Sequence, residues 1–218
     1  MRLFTAVLPP AEAAEELARA LERVRGMAGA GGLRWTGRDG WHFTLAFMGE
    51  VEDRLLPELT VRLERAARRT EPFPLRLHGG GQFGGQVLWA GAAGGIDALH
   101  LLAERAEAAA HRAGVPMDRH RRYRPHLTVA RSRTPMDLGP YVEALGGPDG
   151  FEGTPWDVTE LSLVQSSLPV SGVPGEQPRY ETVARYPLGR AAAGAAPAAD
   201  AARTGNRDPG EERAAPGR

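Results

Sequence analysis

Two tetrapeptides in the chain share one pattern, His42-Phe43-Thr44-Leu45 and His126-Leu127-Thr128-Val129. With 6 histidines and 11 threonines in 218 residues, chance yields about 0.3 His-x-Thr triplets, so two ordered copies carry information. On a strand, residues two apart point to one face, so each histidine shares a face with its threonine. Strict alternation then turns Phe43, Leu45 and Phe47, and in the second copy Leu127 and Val129, toward a core. Two such strands facing each other could open a cyclic phosphodiester. One imidazole takes a proton from water and the other gives one to the departing oxygen, and an unperturbed pKa near ~6.5 suits both roles. A threonine hydroxyl beside each imidazole donates to a phosphoryl oxygen without adding charge. A single triplet would be read as a packed histidine, with threonine there for strand propensity. Two copies weigh catalysis and packing evenly.

Composition narrows the chemistry further. Cysteine is absent, which removes disulfides, thiolate nucleophiles and cysteine-based metal sites. All 27 basic residues are arginine, so a Schiff base, a Walker-type phosphate lysine and a lysyl-nucleotide intermediate are equally excluded. The formal net charge is zero, and any anion-binding function must come from local clustering. No apolar run approaches the ~20 residues that span a bilayer, and the N-terminus lacks the pattern of a secretion signal. The expected location is the cytoplasm, with no membrane association.

The elements that would position the motifs follow from periodicity. Residues 2–8 read as a buried strand ended by Pro9-Pro10. Leu17, Leu21 and Val24 mark an amphipathic helix closed by Gly29 to Gly32. A strand over 42–47 precedes a second helix, from Leu55 to about Arg69. Leu75–Leu77 and Val87–Trp89 read as strands joined by a glycine-rich connection, with a third helix from Ile96 to Ala113. Further strands are expected at 126–131, 157–165 and 180–186. This order predicts an α+β protein of mainly antiparallel sheet. Residues 189–218 carry no large apolar side chain and are expected to form a disordered tail beyond a folded domain over 1–188.

The motifs and their surroundings resemble the 2H phosphoesterase superfamily, and within it the RNA 2′,3′-cyclic phosphodiesterases, also named 2′–5′ RNA ligases. The resemblance is carried by Arg2-Leu3-Phe4-Thr5-Ala6-Val7-Leu8-Pro9, Arg34-Trp35, and the run from His42 through Phe47-Met48-Gly49-Glu50. It continues through Gly81-Gln82-Phe83, Val87 to Gly91, and Arg124-Pro125-His126-Leu127-Thr128-Val129-Ala130-Arg131. It implies two pseudo-symmetric lobes with outer helices around a V-shaped groove. It also implies hydrolysis of an RNA-terminal 2′,3′-cyclic phosphate to a 2′-phosphomonoester, by a monomer needing no metal, cofactor or protein partner. His42 would be the acid, His126 the base, and Thr44, Thr128 and Arg131 the phosphate contacts. ATP-independent 2′–5′ ligation at the same site and a non-catalytic RNA- or nucleotide-binding module are the alternatives. Strict alternation aims Arg131 away from His126, so its role requires a strand end, a bulge or a long reach.

Residues 119–133 hold six arginines, with His120 and Tyr123 among them. This is either a local field for an RNA backbone, with Arg124 contacting it and Tyr123 stacking a base, or a solvated loop. Trp35 and Trp41 are expected to pack in the core. No Asp or Glu lies within either histidine motif, which sets a two-histidine metal hydrolase well below the phosphodiesterase.

Overall fold

The computed structural model describes residues 1–117, 123–169 and 177–190. The tail expected over 189–218 therefore lies outside the described residues except at its first two positions. Among the described residues, nine strands and four α-helices form an α+β fold with two antiparallel sheets. The strands are β1 (Arg2–Val7), β2 (Arg34–Trp35), β3 (Phe43–Glu50), β4 (Phe73–Phe83), β5 (Val87–Gly94), β6 (Leu127–Arg131), β7 (Trp156–Val158), β8 (Glu160–Ser167) and β9 (Arg179–Pro187). The helices are α1 (Ala11–Arg25), α2 (Leu56–Arg68), α3 (Ile96–Arg112) and α4 (Gly139–Gly146). One sheet runs β3-β1-β8-β9 and the other β2-β6-β5-β4-β7. Among the described residues no helix is long and apolar enough to cross a membrane.

The helices bury the faces that their periodicity predicts. Leu17, Leu21 and Val24 of α1 are buried, as are Leu59 and Leu63 of α2 and Leu99 and Leu102 of α3. They join Leu3, Phe43, Leu77, Leu88, Leu127 and Val129 from the sheets in one core. Each fully buried side chain of this size contributes about 1.5–3 kcal/mol. Trp41 lies in this core, and Trp35 packs at its edge with the Arg25 guanidinium 5.2 Å over its ring. The first helix stops earlier than expected, because the chain leaves it at Gly26, whose N–H bonds to the Glu22 carbonyl while the Met27 N–H bonds to that of Val24.

Three further expectations need correction. The span 157–165 is two strands, not one: β7 pairs with β4 in one sheet, while β8 pairs with β1 in the other, and Thr159 alone separates them. The glycines at 79–81 belong to β4, and the hairpin turn is confined to Gly84-Gly85. Both have positive φ, 56° and 67°, and the Gln86 N–H bonds to the Phe83 carbonyl at 3.0 Å, a geometry that suits glycine at both central positions. The third correction concerns Phe47.

Residues 43–47 and 127–131 have the same burial sequence: buried, half-buried, buried, buried, exposed. Two consecutive buried residues break alternation, and the register shows why. Thr5 pairs with Ala46 and Ala6 with Thr44, leaving Leu45 as an extra residue. Leu88 pairs with Ala130 and Trp89 with Thr128, leaving Val129 extra. Each motif therefore carries a β-bulge at its fourth residue, after which the parity of the strand is reversed. Phe47 emerges on the histidine face, 49% exposed, instead of in the core. Arg131 emerges on that face in the other lobe.

Candidate active site

His42 and His126 each stand one residue before a strand, and Thr44 and Thr128 stand within it. The core lies behind Phe43 and Leu127, so the polar side chains project from the opposite faces of the two sheets. They meet in a cleft of about 240 Å³ lined by His42, Thr44, His126, Thr128 and Arg131. The lining also includes Arg34, Thr36, Gln177 and Tyr180, and no carboxylate among the described residues.

Each imidazole is held between two aromatic rings. His42 lies 4.7 Å from the Phe4 ring and 5.0 Å from Tyr180, while His126 lies 5.0 Å from Phe83 and 6.4 Å from Trp89. The His126 Nδ1 is 2.7 Å from the Arg124 carbonyl oxygen. A carbonyl only accepts, so Nδ1 carries the hydrogen and Nε2 is left to exchange protons in the cleft. Burial lowers the His42 pKa to about 4, against the opposing hydrogen bond with the Gly40 backbone. His126 is also held below its ordinary value, by burial first and by the Arg131 charge. Arg131 acts on His42, His126 and Tyr180 alike, which places its guanidinium field across the cleft.

Arg34 lies directly opposite Arg131 where β2 pairs with β6. Two like charges at paired positions repel, and an anion between them relieves the cost. Tyr180 opens β9 and keeps its proton, since burial raises its pKa. The Gln177 amide donates to the Trp35 carbonyl at 2.6 Å and accepts from the Gly37 N–H at 3.2 Å, fastening the start of β9 to the segment before His42. Sequence reading singled out neither Tyr180 nor Gln177, because neither stands in a motif and both arrive from the far end of the chain. Arg34 was visible only as part of the resemblance.

Two expected RNA contacts fall elsewhere. Tyr123 packs its ring 5.2 Å from His100, its hydroxyl is buried, and it does not line the cleft, so it is not placed to stack a base there. The Arg124 side chain is exposed and outside the cleft lining; its carbonyl is what touches the site. Residues 119–122 of the arginine cluster lie outside the described residues.

Gly81 shows how closely His126 is backed. A Cβ at this position would lie 2.1 Å from the Trp89 Cζ2. Gly81→Ala is therefore expected to push the indole toward His126. We expect a cost of about 1–3 kcal/mol in stability from overpacking and a larger fractional loss in turnover than in substrate affinity. Thermal unfolding together with steady-state kinetics checks both; an unchanged kcat would remove Trp89 as a support for His126.

The 2′-5′ RNA ligase superfamily model matches residues 9–168. The chain is 29% identical over 195 residues to an RNA 2′,3′-cyclic phosphodiesterase of Thermus thermophilus, covering 86% of this chain and 90% of the relative. It is 30% identical over 158 residues to one of Geobacillus stearothermophilus, covering 71% of this chain but 47% of that longer protein. The chain thus spans about half the length of the Geobacillus relative. Among solved structures, E. coli LigT in apo form superposes with a TM-score of 0.67 at 26% identity, covering 87% of this chain and 98% of LigT. LigT has also been solved in complex with 3′-AMP, and that structure matches with a TM-score of 0.67.

Proposed function

The chain belongs to the 2′-5′ RNA ligase superfamily, and from that membership we propose that it hydrolyses RNA-terminal 2′,3′-cyclic phosphates to 2′-phosphomonoesters. The observation that carries this reading is a single cleft holding two imidazoles, three threonine hydroxyls and two guanidiniums, with no carboxylate among the described residues that line it. Such a site attracts a phosphodiester anion and supplies both proton transfers that its opening needs.

Water attacks phosphorus as His126 Nε2 takes its proton, and the hydrogen bond from Nδ1 to the Arg124 carbonyl supports the cation that forms. The P–O3′ bond breaks, and His42 delivers a proton to the departing 3′ oxygen. A histidine held low by burial is a strong acid once an anionic substrate lets it take up a proton. Thr44, Thr128 and Arg131 hold the phosphoryl oxygens as negative charge gathers on them. The two histidines then return to their starting states through solvent. All these groups come from one chain, so the reading needs no residue from a second copy, and its proposed setting is a monomer acting on RNA ends in the cytoplasm.

The test is an RNA oligonucleotide ending in 2′,3′-cyclic phosphate, incubated with the full chain in EDTA without ATP. A 2′-phosphate product is expected; a 3′-phosphate product or no turnover would overturn the reading.

The pH dependence follows from the two lowered histidines. Catalysis needs one protonated and one neutral imidazole. In the free protein both pKa values lie below the ordinary 6.5, so the active protonation state is lost as pH rises through the upper one. kcat/KM for a short substrate should therefore be greatest on the acid side of neutrality and fall above about pH 6.5. Bound phosphate raises both values, so the kcat profile should lie at higher pH than kcat/KM. Coincident or flat profiles between pH 5 and 8 would contradict the paired-histidine assignment.

A further inference from the structure

The helices cover the faces of the sheets that the histidines do not use, and α2 and α3 together carry an arginine-rich surface. Between them lies a concavity of about 540 Å³ lined by Arg62, Arg65, Arg69, Arg105 and Arg112, with Glu104 as its one carboxylate. A second concavity shares Arg65 and Arg69 with it and adds Arg68 and Arg190. Glu58 pairs with Arg62 and Glu64 with Arg68. Among the described residues no carboxylate is within ion-pair distance of Arg65 or Arg69, and both are exposed. In a chain of zero net charge, the seven arginines lining these two concavities against one described carboxylate, Glu104, form a strong local field.

This surface is joined to the cleft by one strand. β9 begins beside Tyr180 at the cleft, runs along the open edge of its sheet, and ends where the Gly189 N–H bonds to the Ala67 and Thr70 carbonyls at the C-terminal end of α2. Its length is about 30 Å at ~3.3 Å per residue. Arg179 and Arg185 stand exposed along it, Arg185 paired with Glu160 at 3.4 Å. A nucleic-acid strand in a duplex places one charge every ~3.4 Å, so a stem of about ten base pairs reaches from the cleft to the arginines. The lining also suits a nucleic acid better than a protein. Leu101 is the only large apolar residue in it, whereas protein interfaces centre on aromatic and apolar cores.

We propose that the α2–α3 arginine surface is a second RNA site that holds the phosphate backbone of the substrate's body while its 3′ end lies in the cleft, a reading that rests on RNA being the substrate. The site reads charge and not sequence, and it adds affinity for structured RNA over short ends.

The experiment compares the full chain with the variant R65E/R69E. Binding of a fluorescent hairpin RNA of about ten base pairs is measured by anisotropy across salt concentrations, and turnover is measured on a dinucleotide ending in 2′,3′-cyclic phosphate. The variant should bind the hairpin at least about 10-fold more weakly and lose about two units of the log–log salt slope, with dinucleotide kcat/KM unchanged. Equal hairpin affinity overturns the proposal, as would occur if this surface served a protein partner. A matching loss on the dinucleotide overturns it as well, since the substitutions would then act through the cleft. If neither protein turns over the dinucleotide but the variant still loses hairpin affinity, the cyclic-phosphate reading fails and the second site stands.

Discussion

Replacing either His42 or His126 with alanine is expected to lower kcat on a short 2′,3′-cyclic phosphate substrate by about 10²–10⁴-fold, with the melting temperature shifting by only a few degrees. Both rings lie on the cleft face, away from the main core behind Phe43 and Leu127, so truncation removes a proton carrier and leaves that core intact. The double variant should be scarcely slower than the worse single one, because a pair that passes protons in one step acts as a unit. The two losses should differ in shape. Without His42 the departing oxygen must leave unprotonated, so a substrate with a better leaving group in its place should recover much of the rate. Without His126 the same substrate should recover little. Full activity in either alanine variant would remove the two-histidine mechanism.

Arg131→Ala should cost about 10²–10³-fold in kcat, the range seen when one preorganised donor to a developing anion is lost. The expectation depends on the bulge at Val129, which turns the guanidinium onto the histidine face. Lysine restores the charge but not the planar fork, so Arg131→Lys should recover only part of the loss. A second readout separates catalysis from packing. The Arg131 charge lowers the pKa values of both histidines, so its removal should move the kcat/KM profile toward higher pH. A loss of rate with an unmoved profile would place Arg131 outside the electrostatic reach of the pair.

The paired motifs were legible because their chemistry is local: histidine, one residue, threonine, then an apolar residue. The helices were equally legible, since Leu17, Leu21 and Val24, or Leu59 and Leu63, declare a buried face by spacing alone. Alternation failed at Leu45 and Val129, where an apolar residue follows an apolar-compatible position and nothing in the side chains announces an extra backbone unit. For this reason Phe47 was assigned to the wrong face, and Arg131 could be reconciled with the site only by invoking a strand end, a bulge or a long reach, of which the bulge is what the register shows. The division of 157–165 at Thr159 was hidden for a related reason, because a continuous β-prone run does not say which partners its two ends will take. Tyr180 and Gln177 were invisible because their roles depend on contacts more than a hundred residues away in sequence.

The bulges also make the two lobes unequal. After the same irregularity, one lobe presents Arg131 and the other presents Phe47, with the Arg2 guanidinium 4.9 Å over its ring. The two strands thus repeat the His-x-Thr pattern and its bulge, while an arginine follows the bulge in only one of them.

The change of sheet at Thr159 has a consequence for how the protein comes into being. β1 leaves the ribosome before either histidine, yet one of its two neighbours, β8, is made after both histidines have been translated. Long-range pairings of this kind close late and slowly. The nascent chain therefore carries the complete set of paired motifs while lacking β8 and β9, the strands that complete the first sheet and bring Tyr180 against His42. Under the proposed function, the cleft is complete only once β9 has paired with β8 and set Tyr180 against His42.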